Sequence, residues 1–360
     1  MTMMRSFKSF IKRHRPLFRA AYFFYRLSNL LKMFIFSKVP FARKWNYLKC
    51  FVSAELGSGK SYGSPVLLTI EPTNICNLKC DICETGAGVL EREKKYMKYE
   101  EFCSIIDQFD KNLRTLFFYF MGEPFLNKDA YRMIEYAVKK GIFVSTCTNG
   151  DFAEPENLVN SGIQEVNFQI AGMTQEVQNV YRNGSNLAKV FANLEKAVEL
   201  RNAGNKKMDI IPGFILMKHN EHQVPDFVAY CKSLGLDRYN VIGTCARTIE
   251  QASRYLPSDK SFWVYKEDEL AQGRLVPLTR PDNFCPWIYF SASIMVNGDV
   301  VPCCRDPKGK FILGNVFNNK FSEIWNNDKY QAIRRAVAKN SNDFKLCQLC
   351  PGEQAPRENA

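Results

Sequence analysis

The chain has 360 residues, 46% of them hydrophobic and 24% charged, with thirteen cysteines, which is enough for one large domain with smaller attachments. Its net charge is +12, yet residues 1–50 hold twelve Lys and Arg and no Asp or Glu, and the rest of the chain is balanced. A basic stripe confined to one arm does not imply nucleic acid. The clustered cysteines, with no cleavable signal peptide ahead of them, place the chain in a reducing cytoplasm with metal-bound thiols and exclude a disulfide scaffold.

The N-terminal arm interleaves Arg5, Lys8, Lys12, Arg13, Arg15, Arg19, Arg26 and Lys32 with Phe7, Phe10, Phe18, Tyr22, Phe23, Phe24, Tyr25 and Phe34. Its charges interrupt every apolar run well short of the roughly 20 residues a spanning helix needs. It is expected to be a basic helix lying peripherally on an anionic membrane, at the inner face, with a helix packed on the main domain as the plainer reading. Gly57-Ser58-Gly59-Lys60-Ser61 is similar to a phosphate-binding loop, but the first glycine of that motif would fall at Ala54 and the segment precedes a strand. Residues up to 64 read as a flexible linker.

From Pro65 short apolar runs alternate with amphipathic segments, the pattern of βα units around a parallel sheet. Strands are predicted at 66–71, 114–120, 142–147, 164–170, 208–216 and 238–243, and helices near 97–111, 128–140, 154–161, 186–203 and 221–234. Six such units make part of a barrel, and its chemistry is expected beyond the C-terminal strand ends. After the first strand comes Cys76-Asn77-Leu78-Lys79-Cys80-Asp81-Ile82-Cys83. A structural zinc site would want four ligands, whereas three thiols at this spacing can hold three irons of a cubane cluster and leave the fourth open. After the second strand comes Met121-Gly122-Glu123-Pro124, and after the third Thr148-Asn149-Gly150.

Residues 246–284 form a connector with Arg247, Arg254, Tyr255, Trp263 and Tyr265, read as a surface helix pair or a substrate-facing segment. From 285 onward stand Cys285, Cys303-Cys304 and Cys347-Gln348-Leu349-Cys350. Strands at 289–296 and 300–302 flank Asn297-Gly298-Asp299, a hairpin signal, and 321–339 reads as one amphipathic helix. Hairpin and C-x2-C can gather four thiols for zinc or for an auxiliary cluster. Cys50, Cys103, Cys147, Cys231 and Cys245 are scattered and mostly read as small buried apolar residues.

C-x3-C-x2-C after the first strand, G-E-P after the second and T-N-G after the third resemble the radical S-adenosylmethionine (SAM) superfamily over residues 65–245. Cys285 to Cys350, with Gly298, Gly314-Asn315-Val316 and Ile324-Trp325-Asn326, resembles its SPASM extension, in the shortened twitch form because no cysteine follows Cys350. The resemblance implies an α/β chain: a basic arm and linker (1–64), a partial (βα)6 TIM-like barrel (65–245), the connector (246–284), and a small α+β twitch/SPASM-like domain (285–360).

It further implies that Cys76, Cys80 and Cys83 bind a [4Fe-4S] cluster whose open iron takes SAM. By the same resemblance Gly122 and Glu123 form the turn holding the SAM amino group, although the family's usual G-G-E-P here begins with Met121. Thr148 and Asn149 would lie near the ribose and substrate, Gln169 would donate a hydrogen bond where many relatives have Ser, and Arg182 would pair with the SAM carboxylate. Cys285, Cys303, Cys347 and Cys350 would hold one auxiliary [4Fe-4S] cluster, with Cys304 as a replacement for Cys303 or a thiol near the substrate.

The expected activity is that of a radical SAM oxidoreductase. A 5′-deoxyadenosyl radical abstracts hydrogen from an alcohol, sugar, cyclitol or lipid-linked substrate, an electron returns to the auxiliary cluster, and a flavodoxin or ferredoxin reduces the first. The alternatives are a peptide-modifying maturase, a redox-neutral epimerase with Cys245 or Cys304 as hydrogen donor, and a noncatalytic iron-sulfur carrier. His14, His219 and His222 lie in no matched motif, and no catalytic base is assigned.

Overall fold

The computed structural model describes residues 15–109, 112–278, 283–350 and 352; Arg5, Lys8, Lys12, Arg13 and His14 of the basic arm lie outside the described residues. Among the described residues nine strands form one sheet: β1 (Leu67–Ile70), β2 (Thr115–Phe117), β3 (Phe143–Thr148), β4 (Glu165–Ile170), β5 (Asp209–Leu216), β6 (Asn240–Gly243), β7 (Ser291–Ile294), β8 (Asp299–Val301) and β9 (Gly314–Asn315). Their order is β6-β5-β4-β3-β2-β1-β7-β8-β9. All pairings from β6 to β7 are parallel, and the sheet stays open, with β6 and β9 at its edges.

Strand composition explains the layering. β1 is buried along its whole length, as a parallel strand covered on both faces must be. On β4, Val166, Phe168 and Ile170 join the main core, while Glu165, Asn167 and Gln169 are only half-buried on the other face. The helices Ala130–Lys139 and Leu187–Ala203 supply Met133, Ile134, Ala137, Val190 and Leu194 to that same core. The expected α/β partial barrel is therefore present, with strands slightly shorter than predicted and the first helix confined to Tyr99–Ile106.

The C-terminal segment continues this sheet. Trp287–Phe290 is a single helical turn, where a strand was expected from 289. It delivers β7 alongside β1, pairing Leu67 with Ser291 and Ile70 with Ile294. Gly298 turns the β7-β8 hairpin with φ +84, a conformation that suits glycine. The helix expected over 321–339 is two helices, Phe321–Ile324 and Asp328–Asn340. Asn327 divides them: its side chain caps the second helix by accepting from the Tyr330 N–H at 2.9 Å, and its amide donates to the Leu313 carbonyl.

The described part of the arm forms two helices, Arg15–Phe36 and Phe41–Glu55, that pack on the main domain. Leu30, Met33, Cys50, Phe51 and Ala54 belong to the central core, and Tyr47 meets Phe290 at 4.7 Å between ring centroids. Arg26 is buried against Glu55 at 2.5 Å and lies over Phe51 and Phe284. The expected linker is instead a packed corner. Ser61 is buried and exchanges hydrogen bonds with the Asn326 amide at 2.9 and 3.0 Å, and the Asn46 side chain bonds Ser64 from both sides. Beneath the corner Arg334 is fully buried, surrounded by the rings of Tyr289, Trp325 and Tyr330 and donating to the carbonyls of Ile288 and Trp325. Among the described residues no helix is long and apolar enough to cross a membrane.

Candidate metal centre and its surroundings

Cys76, Cys80 and Cys83 lie in the loop that leaves β1, at the edge where all the parallel strands end. None of the cysteines of the chain is in a disulfide. Burial pushes the Cys76 thiol up to about 12, helped by its neighbours Glu123, Cys80 and Cys83 and opposed by the Leu78 N–H, which donates to its Sγ at 3.4 Å. Burial also raises Cys80, against the nearby charge of Arg182. Among the described residues no three His, Cys, Asp or Glu side chains converge as they would on one ion, and in a cubane each iron takes its own thiolate.

Polar side chains from neighbouring strand ends fix this loop. Asn149, just after β3, donates from Nδ2 to Asn77 Oδ1 at 2.8 Å and reaches within 4.0 Å of Cys76 Sγ. Asn77 in turn donates to Asp151 Oδ2 at 3.1 Å, and the Lys79 N–H donates to the Asn183 carbonyl at 2.9 Å. The Met121–Pro124 turn closes the other side. Gly122 has φ +82, and a Cβ there would lie 2.5 Å from the Thr73 carbonyl, so only glycine lets the turn approach the base of the cysteine loop. The Glu123 N–H donates to the Ile75 carbonyl at 2.8 Å.

The Glu123 side chain points inward. Its carboxylate accepts from Thr148 Oγ1 at 2.7 Å, the Asn149 N–H at 2.8 Å and the Phe125 N–H at 3.3 Å. Burial nevertheless pushes it up to about 7. Glu123, Thr148 and Asn149 thus form one brace joining the ends of β2 and β3 to the cysteine loop. Gln169 lies elsewhere: on β4 it faces Gly213 of β5, where an added Cβ would stand 2.7 Å from its Nε2, and it neighbours the half-buried Cys147 thiol.

Arg182 closes the helix Gln175–Tyr181 at its C-terminal end, not at a helix start, and is buried. A cation at that end is favoured by the helix dipole. Its charge acts on Cys80, Cys147 and Glu123, and its Nε is a buried donor with no partner among the described residues. Such a group is costly unless something accepts from it.

One pair escaped sequence reasoning. Glu71, at the end of β1, is completely buried and paired in a two-pronged fashion with Arg92, at 2.6 and 2.7 Å. Its oxygens also accept from the Met121 and Val296 N–H groups, and Arg92 Nε donates to the Pro307 carbonyl at 2.7 Å. This pair ties the cysteine loop's base, the Gly122 turn and the C-terminal hairpin together. Arg92 sits in the run Glu91-Arg92-Glu93-Lys94-Lys95, which reads as a solvated charged stretch. The signal was a carboxylate directly following a largely apolar strand.

The second thiol set is assembled from three distant stretches. Cys285 is pushed up to about 12 by burial and further by Cys347 and Cys350, while the Ile288 and Trp287 N–H groups stabilise its thiolate. Cys303 is raised well above the ordinary thiol range by burial and by Cys304, Cys285 and Cys350. Cys285, Cys303, Cys347 and Cys350 therefore lie close enough to act on one another. Cys304 also acts on Cys303.

Comparison with known proteins places these sites in context. Residues 70–241 match the Radical SAM superfamily, and residues 285–351 match the SPASM iron-sulfur cluster-binding domain. The chain is 26% identical over 296 residues to the tungsten-containing aldehyde ferredoxin oxidoreductase cofactor-modifying protein of Pyrococcus furiosus, covering 74% of this chain and 82% of that one. It is 27% identical over 287 residues to the mycofactocin maturase MftC of Mycobacterium ulcerans, covering 73% and 75%. Streptococcus suis SuiB, solved with its precursor peptide SuiA, shares the fold with a TM-score of 0.59 at 17% identity, over 88% of this chain and 77% of that one. The same protein bound to S-adenosylmethionine aligns equally well, with a TM-score of 0.59 at 18% identity, over 91% and 81%.

Proposed function

Because the chain belongs to the radical SAM superfamily and carries a SPASM domain, we propose that it is a peptide-modifying enzyme, a maturase acting at an unactivated C–H bond of a polypeptide. The observation that carries this reading is the likeness to the mycofactocin maturase across three quarters of both chains. The likeness to the mycofactocin maturase favours this reading over the first expectation, oxidation of an alcohol, sugar or lipid-linked substrate. The N-terminal helices Arg15–Phe36 and Phe41–Glu55 follow one another with no strand between them, so they are not a winged helix-turn-helix. The peptide would then be read at the barrel mouth.

The family's cofactors are SAM and iron-sulfur clusters, and the residues present fit them. Cys76, Cys80 and Cys83 would hold the cluster that binds SAM; neighbouring buried thiols disfavour one another's ionisation, and a metal cation relieves that cost. The unpartnered Arg182 Nε would receive the SAM carboxylate. Since the Glu123 carboxylate is already occupied by Thr148, Asn149 and Phe125, the turn at Gly122 would offer backbone carbonyls to the SAM amine. Cys285, Cys303, Cys347 and Cys350 would hold the auxiliary cluster. When bound, the reduced cluster with SAM supplies a radical that abstracts hydrogen from substrate.

The chain's own work is positioning. Asn149 and Asp151 fix Asn77 and hence the cysteine loop. Cys147, Asn167 and Gln169 line the half-buried inner face of β3 and β4 and would face the peptide. For a two-electron oxidation of the peptide, Cys285, Cys303, Cys347 and Cys350 would hold the cluster that takes the surplus electron, and the enzyme would be an oxidoreductase whose first cluster is reduced by a ferredoxin or flavodoxin.

The test is anaerobic incubation of the reconstituted full chain with dithionite, SAM and short peptides encoded beside its gene. A peptide whose mass changes, with one equivalent of 5′-deoxyadenosine per event, is the expected result. Turnover of a cyclitol or sugar alcohol with every such peptide left unmodified would overturn the reading.

A further inference from the structure

The two N-terminal helices are held on one side only. Leu30, Met33, Cys50 and Phe51 enter the core, but Phe24, Leu31, Ile35, Phe36, Phe41 and Trp45 are exposed. Three of these concentrate at the turn between the helices: Ile35 is 68% exposed, Phe36 79% and Phe41 70%. Phe41 stacks on Trp45 with 6.4 Å between centroids, and Lys44 Nζ pins the turn by donating to the Phe34 and Ser37 carbonyls at 3.0 and 2.9 Å. The result is a rigid apolar corner, a surface that monomers seldom leave uncovered without a partner.

Charge identifies the partner. Arg19, Lys32 and Lys49 on these helices and Lys38 in the turn between them are exposed, and the first acidic residue of the chain, Glu55, is taken up by Arg26. A second copy meeting this face would set two unbalanced positive arms against each other. An anionic lipid surface accepts both components: apolar and indole side chains enter the headgroup boundary while Lys and Arg meet phosphate. We infer that the helical hairpin Arg15–Glu55 docks the enzyme on an anionic bilayer, with the Ile35–Trp45 corner inserted. This placement is independent of the substrate proposed above.

Flotation of the anaerobically reconstituted full chain with two vesicle types tests it: phosphatidylcholine alone, and phosphatidylcholine mixed with phosphatidylglycerol. Recovery with the mixed vesicles only, falling with added salt, is expected. Combined Ile35→Ser, Phe36→Ser and Trp45→Ser should lower partitioning by about tenfold or more. Lys32→Gln, Lys38→Gln and Lys49→Gln together should do the same by about tenfold or more. Both variants should keep the parent's thermal midpoint and cleavage of SAM, because every altered side chain is exposed.

Equal recovery with both vesicle types, no recovery with either, or unchanged partitioning of both variants would overturn the inference. So would a concentration-dependent dimer, seen by sedimentation and lost in the apolar variant, which would assign the corner to a second copy. Binding that appears only after removal of residues 1–14 would assign it to that segment.

Discussion

The two thiol sets are assembled in different ways. Cys76, Cys80 and Cys83 come from one loop that packs Leu78 and Ile82 into a small cluster with Tyr181 and Tyr255 and is aimed by polar side chains of other elements: Asn149, Asp151 and the Glu123 brace. Cys285, Cys303, Cys347 and Cys350 come from three stretches brought together by the chain's own closure, with Cys285 and Cys347 packed against the main core. A hydrogen-bonded loop can be tuned by single atoms, whereas a set assembled by packing is changed only by disturbing the fold around it. The difference matches the proposed division of labour, in which the first site must orient a small cofactor and the second need only hold its cluster.

The sharpest way to break this comparison is at the thiols. Cys76→Ala should reduce SAM cleavage to background under dithionite, whereas Cys347→Ala should leave cleavage largely intact and depress peptide product. Equal loss of cleavage in both would erase the distinction. Next comes the pair that joins the two regions. Arg92→Met leaves Glu71 buried and uncompensated, which should cost about 3–5 kcal/mol and lower the thermal midpoint, while Glu71→Met together with Arg92→Met should recover much of it.

Arg182→Gln sharpens the cofactor side alone. Losing a charge-assisted hydrogen bond worth about 1.5–3 kcal/mol should weaken SAM binding by roughly tenfold to a hundredfold, measured by equilibrium dialysis, with the iron content unchanged.

The smallest effect concerns Glu123. Its folded-state pKa lies near 7, above the ordinary carboxylate range, because of burial. The folded form therefore holds a proton that the unfolded chain has released, and the stabilisation this group gives at low pH declines as pH rises through about 7. Glu123→Gln should flatten that decline between pH 4.5 and 7 in denaturant titrations; an unchanged slope would show that the Thr148 and Asn149 bonds offset the burial.

The barrel was legible because its strands announce themselves as short apolar or alternating runs, and 165–170 and 209–216 were bounded almost to the residue. Cys76, Cys80 and Cys83 were legible through spacing alone. What sequence could not convey was direction. Glu123 was read as part of the turn holding the SAM amino group, and its carboxylate turns inward to Thr148. Arg92 was hidden among like residues because a charged run says nothing about which member is buried. The corner at 56–64 read as a linker since Gly and Ser favour flexibility, but long-range bonds to Asn326 outweigh that preference. The arm was legible as a basic aromatic helix, but which of its rings face the core depends on elements such as Phe290 that lie far along the chain.

The pairing of β1 with β7 carries a consequence for how the chain is made. β1 is flanked by β2 and by a strand more than two hundred residues downstream. At about 5–20 residues per second, the ribosome takes on the order of ten seconds or more to synthesise that interval. Throughout it, the edge of the buried strand β1 that will receive Ser291–Ile294 is an unpaired template. Biosynthesis is then the stage at which this edge is open to other chains, and a chain ending before β7 is expected to aggregate through it.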